Sequence, residues 1–130
     1  MVERKESQGL QKFDAIVKTV EAETGAEGRT QYHITMEPIG IEITGATGVL
    51  HEWIPMSATA TEDSIPQGSV LDRYLSQVEI CIDEAEKAKT VEKALKLMVG
   101  KKFTFKKMKL GKDFDGHKAR EYAVPVAVLA

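Results

Sequence analysis

The sequence predicts one mixed α/β domain, mainly β, in which a helical block interrupts a run of five strands. Three observations lead there. Apolar residues recur at every second position in four separate stretches, they recur at helical spacing between residues 69 and 99, and glycine-rich or Asp-Gly signals mark turns, the last of them leading into a fifth, more continuously apolar stretch. At 130 residues, 42% hydrophobic and 29% charged, the chain is long enough to bury one real core and too short for two independent ones.

Residues 1–12 read as a loose polar arm and 13–130 as the domain. The first strand starts at Phe13, with Phe13, Ala15, Val17 and Thr19 on one face and Asp14, Ile16, Lys18 and Val20 on the other. Gly25-Ala26-Glu27-Gly28 supplies a turn, and Arg29 to Glu37 resumes the alternation, placing Tyr32, Ile34 and Met36 opposite His33, Thr35 and Glu37. These two strands form a hairpin. Pro38 and Gly40 interrupt the second, Ile41 to Thr44 extend it past a bulge, and Gly45-Ala46-Thr47-Gly48 turns the chain again. The third strand, Val49 to Met56, presents Val49, His51 and Trp53 on one side and Leu50, Glu52, Ile54 and Met56 on the other. Ser57 to Gly68 is a polar connection, longer than most in a compact domain.

Ser69-Val70-Leu71-Asp72 is an acidic variant of the N-terminal capping box, and Leu71, Tyr74, Leu75, Val78, Ile82 and Ala85 follow at helical spacing. Asp83 to Lys89 reads as a break. A second helical piece, Thr90 to Val99, gathers Val91, Ala94, Leu95 and Met98 on one face and stops at Gly100. Period two then returns, with Lys102, Thr104 and Lys106 alternating with Phe103 and Phe105 as far as Leu110. Asp115-Gly116 is a hairpin turn into a last strand from Lys118 to Leu129, where Pro125, unable to donate a ladder hydrogen bond, calls for an edge position or a bulge.

The order β1-β2-β3-α-β4-β5 resembles the OB-fold, a five-stranded, partly open barrel whose β2–β3 face and neighbouring loops bind oligonucleotides or oligosaccharides. In particular it looks like the small single-stranded DNA-binding proteins of phage and prokaryotes. The resemblance covers Phe13 to Leu129 and rests on topology. It departs in two places: the helical insertion between β3 and β4, residues 69–99, is larger than the usual single helix, and the C-terminal Val126-Ala127-Val128-Leu129-Ala130 is not an acidic tail. The resemblance implies single-stranded DNA or RNA as partner.

Charge distribution bears on that implication. The net charge is −2, yet residues 101–120 hold eight Lys/Arg against two acids, a local +6 that leaves −8 on the other 110 residues. A local basic surface matters more to a bound polyanion than the net charge does. The phosphate candidates are Lys102, Lys106, Lys107, Lys109, Lys112, Lys118 and Arg120; the alternative for these lysines is a solvated edge strand that discourages pairing with other chains. Tyr32 and Trp53 are the stacking candidates, with His51 on the face of Trp53; the alternative for either ring is a place in the core. Phe103 and Phe105 are assigned to the core.

No catalytic residue, metal site or cofactor is expected. His33, His51, His117 and Cys81 lack paired ligand spacing, Gly45-Ala46-Thr47-Gly48 lacks the lysine of a phosphate-binding loop, and no nucleophile motif is present. Cys81, the single cysteine, sits among Val78, Ile80 and Ile82 as a structural thiol. With no apolar run of bilayer length and no apolar stretch at Met1 to Glu6, the expected location is the cytoplasm, away from membranes. The second function class is a non-catalytic protein-interaction or assembly module that uses the helical insertion. Homo-oligomerisation through the apolar strand Val124 to Leu129 fits either class.

Overall fold

The computed structural model describes residues 11–24, 30–40, 48–57, 60–111 and 120–129. The elements are strands β1 (Lys12–Thr24), β2 (Thr30–Pro38) and β3 (Leu50–Pro55), helix α1 (Val70–Cys81), a 3₁₀ turn (Asp83–Lys87), helix α2 (Val91–Lys96), and strands β4 (Lys102–Lys109) and β5 (Glu121–Val128). The expected extension at Ile41 to Thr44, the turns at residues 25–28 and 115–116, and most of the N-terminal arm lie outside the described residues.

All ladders are antiparallel, and they build one five-stranded sheet in the order β3-β2-β1-β4-β5. β1 is 13 residues long because it serves two partners. Lys12–Ile16 pairs with β4, while the chain from Ala15 to Thr24 pairs with β2. A register shift between Val17 and Thr19 lies close to where the strand passes from one partner to the other. Such a bulge bends and twists a strand, and here it also reverses the alternation. Strict period two puts Thr19 on the face of Val17; with the extra residue, Val20 is buried and Thr19 turns to solvent.

One face of the sheet forms the core with Phe13, Ala15, Val17, Tyr32, Ile34, Met36, Ile54, Phe103 and Phe105, against which Leu71, Tyr74, Val78, Leu95 and Met98 pack from the helices. The helices start where the sequence predicts. Ser69 Oγ accepts the Asp72 N–H at 3.2 Å, the Asp72 carboxylate accepts the Gly68 N–H at 2.7 Å, and Thr90 Oγ1 accepts the Lys93 N–H at 3.2 Å. The break expected at Asp83 to Lys89 is the 3₁₀ turn and its exit. After α2 the chain reverses at Gly100, φ +83°, whose N–H donates to the Val17 carbonyl at 2.8 Å and anchors this turn at the β1 bulge.

The ladders leave β3 and β5 as the two edges of an open sheet. The antiparallel pairings make these edges run parallel to one another. Among the described residues, β5 and β3 are joined by side chains in place of a ladder. Tyr74 of α1 donates to the Ala123 carbonyl at 3.0 Å and Gln77 to the Pro125 carbonyl at 3.3 Å, while Glu52 of β3 accepts the Ala123 N–H at 2.9 Å. Pro125 sits on this edge beside a register shift between Thr104 and Phe105, so both features its position called for are present. Side chains thus occupy the backbone groups that would otherwise template pairing with another chain. The polar connection before α1 is tied down as well: Glu62 accepts the Tyr32 hydroxyl and, at 3.1 Å, the Glu92 N–H. Among the described residues no helix is long and apolar enough to cross a membrane.

Candidate functional site

The register sorts the candidate residues onto two faces. On β2 and β3, His33 lies opposite Trp53 and Thr35 opposite His51, all turned away from the core. On β1 the same outer face carries Glu21, opposite His33, and Glu23, opposite Gln31. Beyond the bulge it continues through Ile16, Asp14 and Lys12, which pair with Lys102, Thr104 and Lys106.

Three rings form a cluster on this face. The His33 and Trp53 rings are 4.7 Å apart between centroids and 10° from parallel, too close to lie side by side, so the imidazole covers part of one face of the indole. His33 and His51 are 5.0 Å apart and 21° from parallel, with His33 Nε2 and His51 Nδ1 2.8 Å apart in a hydrogen bond. That combination describes two imidazoles joined edge to edge. His51 lies 5.6 Å from the indole centroid at 13°. Glu23 holds the cluster from β1: its Oε1 accepts Trp53 Nε1–H at 2.9 Å and the Gln31 amide at 2.8 Å, and its Oε2 is 3.5 Å from His33 Nδ1. A carboxylate there favours a proton on His33 Nδ1, which leaves Nε2 to accept from His51 Nδ1–H, a tautomer assignment made from the partners. The rings are half-exposed or exposed.

Tyr32 does not belong to this surface. It is fully buried with Ile34 and Met36, its hydroxyl bonded to Glu62, and burial together with that carboxylate pushes its ionisation well above the usual phenol range. It therefore offers no face to a base, a correction to its place among the stacking candidates.

The basic candidates divide. Lys102 and Lys106 are exposed on the outer face of β4, the same face as the rings. Going by register, roughly 15 Å of β1 and three inter-strand spacings separate Lys102 from Trp53, a span of about 20 Å. Lys107 points the other way, its side chain 19% exposed and its ammonium 3.8 Å from Glu52. Arg120 Nη2 donates to Glu52 Oε1 at 2.8 Å, and the guanidinium also lies 4.9 Å from the Tyr122 ring centroid. Two of the expected phosphate contacts are thus engaged with a buried acid. Lys109 is exposed at the end of β4, opposite Glu121; Lys112 and Lys118 lie outside the described residues.

Glu52 is a functional residue absent from the sequence-based candidates. Only 2% exposed, it accepts from Arg120, from the Ala123 N–H and, at 3.1 Å, from its neighbour's Trp53 N–H. Its phase with Leu50 and Ile54 marks it for the core, and an acid in that phase was the available signal. His33, Glu23 and Gln31 were also missed as site residues, because only the strand register brings them to Trp53.

A cleft of about 110 Å³ lies between Glu62 to Ile65 and the helices, lined by Glu62, Glu79, Glu86 and Lys89 among others, and includes neither the ring residues nor the candidate phosphate contacts. Among the described residues no three His, Cys, Asp or Glu side chains are grouped as metal ligands. Comparison with protein-family models, curated proteins and solved structures returned no match, so the functional reading rests on the chain's own geometry.

Proposed function

We propose that the chain binds single-stranded nucleic acid on the outer face of β1–β3, bases stacking on the Trp53 cluster and the backbone running toward Lys102 and Lys106. The observation that carries this reading is the Trp53–His33–His51 cluster on the solvent side of β2 and β3, on one face with exposed lysines. Stacking supplies sequence-tolerant affinity and the cations supply phosphate attraction. A span of about 20 Å suits the roughly 4–16 nucleotides that one such domain covers. The same reading takes the sheet as an OB-like barrel left open at one seam: β3 and β5 run parallel, and Glu52 with α1 spans the gap that a ladder would fill.

Fluorescence anisotropy with a labelled oligodeoxynucleotide tests it. Trp53→Ala is expected to weaken binding by about 1–3 kcal/mol with its melting temperature and salt slope retained. The double variant Lys102→Ala/Lys106→Ala should lower the slope of log affinity against log salt by about 1.4, or about 0.7 per phosphate contact. Duplex should bind more weakly than single strand. Wild-type affinity in a folded Trp53→Ala protein, together with an unchanged slope in the lysine variant, would overturn the proposal. No binding at low salt would favour an interaction module, with attention moving to α1, where Ile80 is 71% exposed.

A further inference from the structure

We infer that His33 and His51 form a proton-gated site for one phosphate group of the bound strand. The inference rests on the nucleic-acid reading above and adds to it a ligand atom and a control. In the neutral pair, one proton is shared across the 2.8 Å between His33 Nε2 and His51 Nδ1, and the two nitrogens satisfy each other. Neither is then available to a ligand. The first added proton goes to His51 Nε2, which this tautomer leaves bare, and the hydrogen bond stays; a second, on His33 Nε2, puts a hydrogen on both facing nitrogens, and two N–H groups cannot face each other at that distance. His51 is exposed and can turn while Trp53 and Glu23 hold His33, and two donors that started within hydrogen-bond reach then converge on one external acceptor. A phosphate, with its oxygens and negative charge, is the acceptor that a single strand brings.

The surroundings support the charged pair. Trp53 lies face to face with His33 at 4.7 Å, where an imidazolium gains from the indole quadrupole. Glu23 on β1 stands at the far nitrogen of His33, 3.5 Å away, and holds that ring's other proton. Among the described residues, the other charged groups that register places near the pair are Glu21, opposite His33 on β1, and Lys18 and Glu37, which pair with each other at 3.4 Å. On β2 and β3 the other outward neighbours, Gln31 and Thr35, are uncharged. The site therefore has a carboxylate behind it and an open side toward solvent.

The sign follows from linkage. Phosphate binds the doubly protonated pair, so its binding takes up protons and affinity rises as pH falls.

Trp53 is the single tryptophan and touches His33, so its fluorescence reports the pair without any nucleic acid. Three measurements decide the matter. Wild-type emission should titrate between pH 8 and 5.5, and His33→Gln and His51→Gln should each abolish that transition. Inorganic phosphate should alter the emission at pH 5.5 and not at pH 8, relative to chloride at equal ionic strength. Oligodeoxynucleotide affinity at fixed salt should rise about tenfold from pH 8 to 5.5, with a salt slope steeper by about 0.7. Both gains should be absent in either histidine variant. If emission titrates and responds to phosphate while oligonucleotide fails to bind at any pH, the phosphate site stands and the nucleic-acid function falls. If oligonucleotide binds with the same affinity and slope at both pH values, the function stands and the proton-gated site is wrong. Flat emission across the range in a folded protein also refutes it.

Discussion

Removing the Glu52 carboxylate should be among the most damaging single changes in this domain that leave the apolar core intact. In Glu52→Ala the Ala123 N–H loses its 2.9 Å acceptor inside the seam, which costs about 1–3 kcal/mol for an unsatisfied buried donor. Lys107, 19% exposed, keeps its charge with that partner gone, whereas Arg120, 56% exposed, turns to water at little cost. Breaking a buried pair by deleting one partner typically costs 3–5 kcal/mol, and since the basic partners here are unequally covered, about 3–4 kcal/mol is expected. That is a large share of the roughly 5–15 kcal/mol that holds a single domain together. Glu52→Gln keeps one acceptor oxygen but sets an amide donor against Arg120 and Lys107, so a loss of about 2 kcal/mol is expected. Arg120→Ala, which leaves Glu52 with two backbone donors and Lys107, should cost less than Glu52→Ala. Urea unfolding followed by circular dichroism measures all three, and the midpoint should fall with the m-value unchanged. A loss below about 1 kcal/mol for Glu52→Ala would mean that water enters the seam freely, and the account of how β3 is joined to β5 would be wrong.

Alkali should unfold the protein cooperatively. All three tyrosines, Tyr32, Tyr74 and Tyr122, are buried, and burial is the largest cause raising the ionisation of each; nearby carboxylates add to it, while at Tyr122 the Arg120 guanidinium opposes it in part. With folded values above the unfolded one, their stabilisation is fully present below about pH 10 and is lost as pH rises beyond it, approaching 1.4 kcal/mol per unit per tyrosine; absorbance at 295 nm should rise only with unfolding. Early, non-cooperative phenolate formation would contradict their burial. Ser69→Ala and Thr90→Ala should each lower stability by about 1 kcal/mol in urea melts, since each removes the acceptor for a helix N–H. Cys81, half-buried with its thiol pushed up by burial, should react with a disulfide reagent at neutral pH at least about tenfold more slowly in the folded than in the urea-unfolded chain.

Much of the architecture was legible in the sequence by itself. The strand segments, the capped start of α1, the break after it and the irregularity at Pro125 all rest on local information: side-chain period, capping chemistry and the missing proline N–H. Periodicity says which residues share a face. It does not say which residues across the sheet they meet. The alternation paired Tyr32 with Ile34 and Met36, but only the packed helices and Glu62 show that this face is closed to a ligand while the face of Trp53 stays open. A single extra residue in β1, invisible to a period-two reading, exchanges Thr19 for Val20 in the core. The cluster of Trp53, His33, His51 and Glu23 exists because register places three strands side by side. Glu52 meets Ala123 only because the sheet brings its two edges together across 71 residues of chain. Those contacts are non-local. They depend on bulge position, sheet curvature and the helix laid along the open edge, and tertiary packing alone decides them.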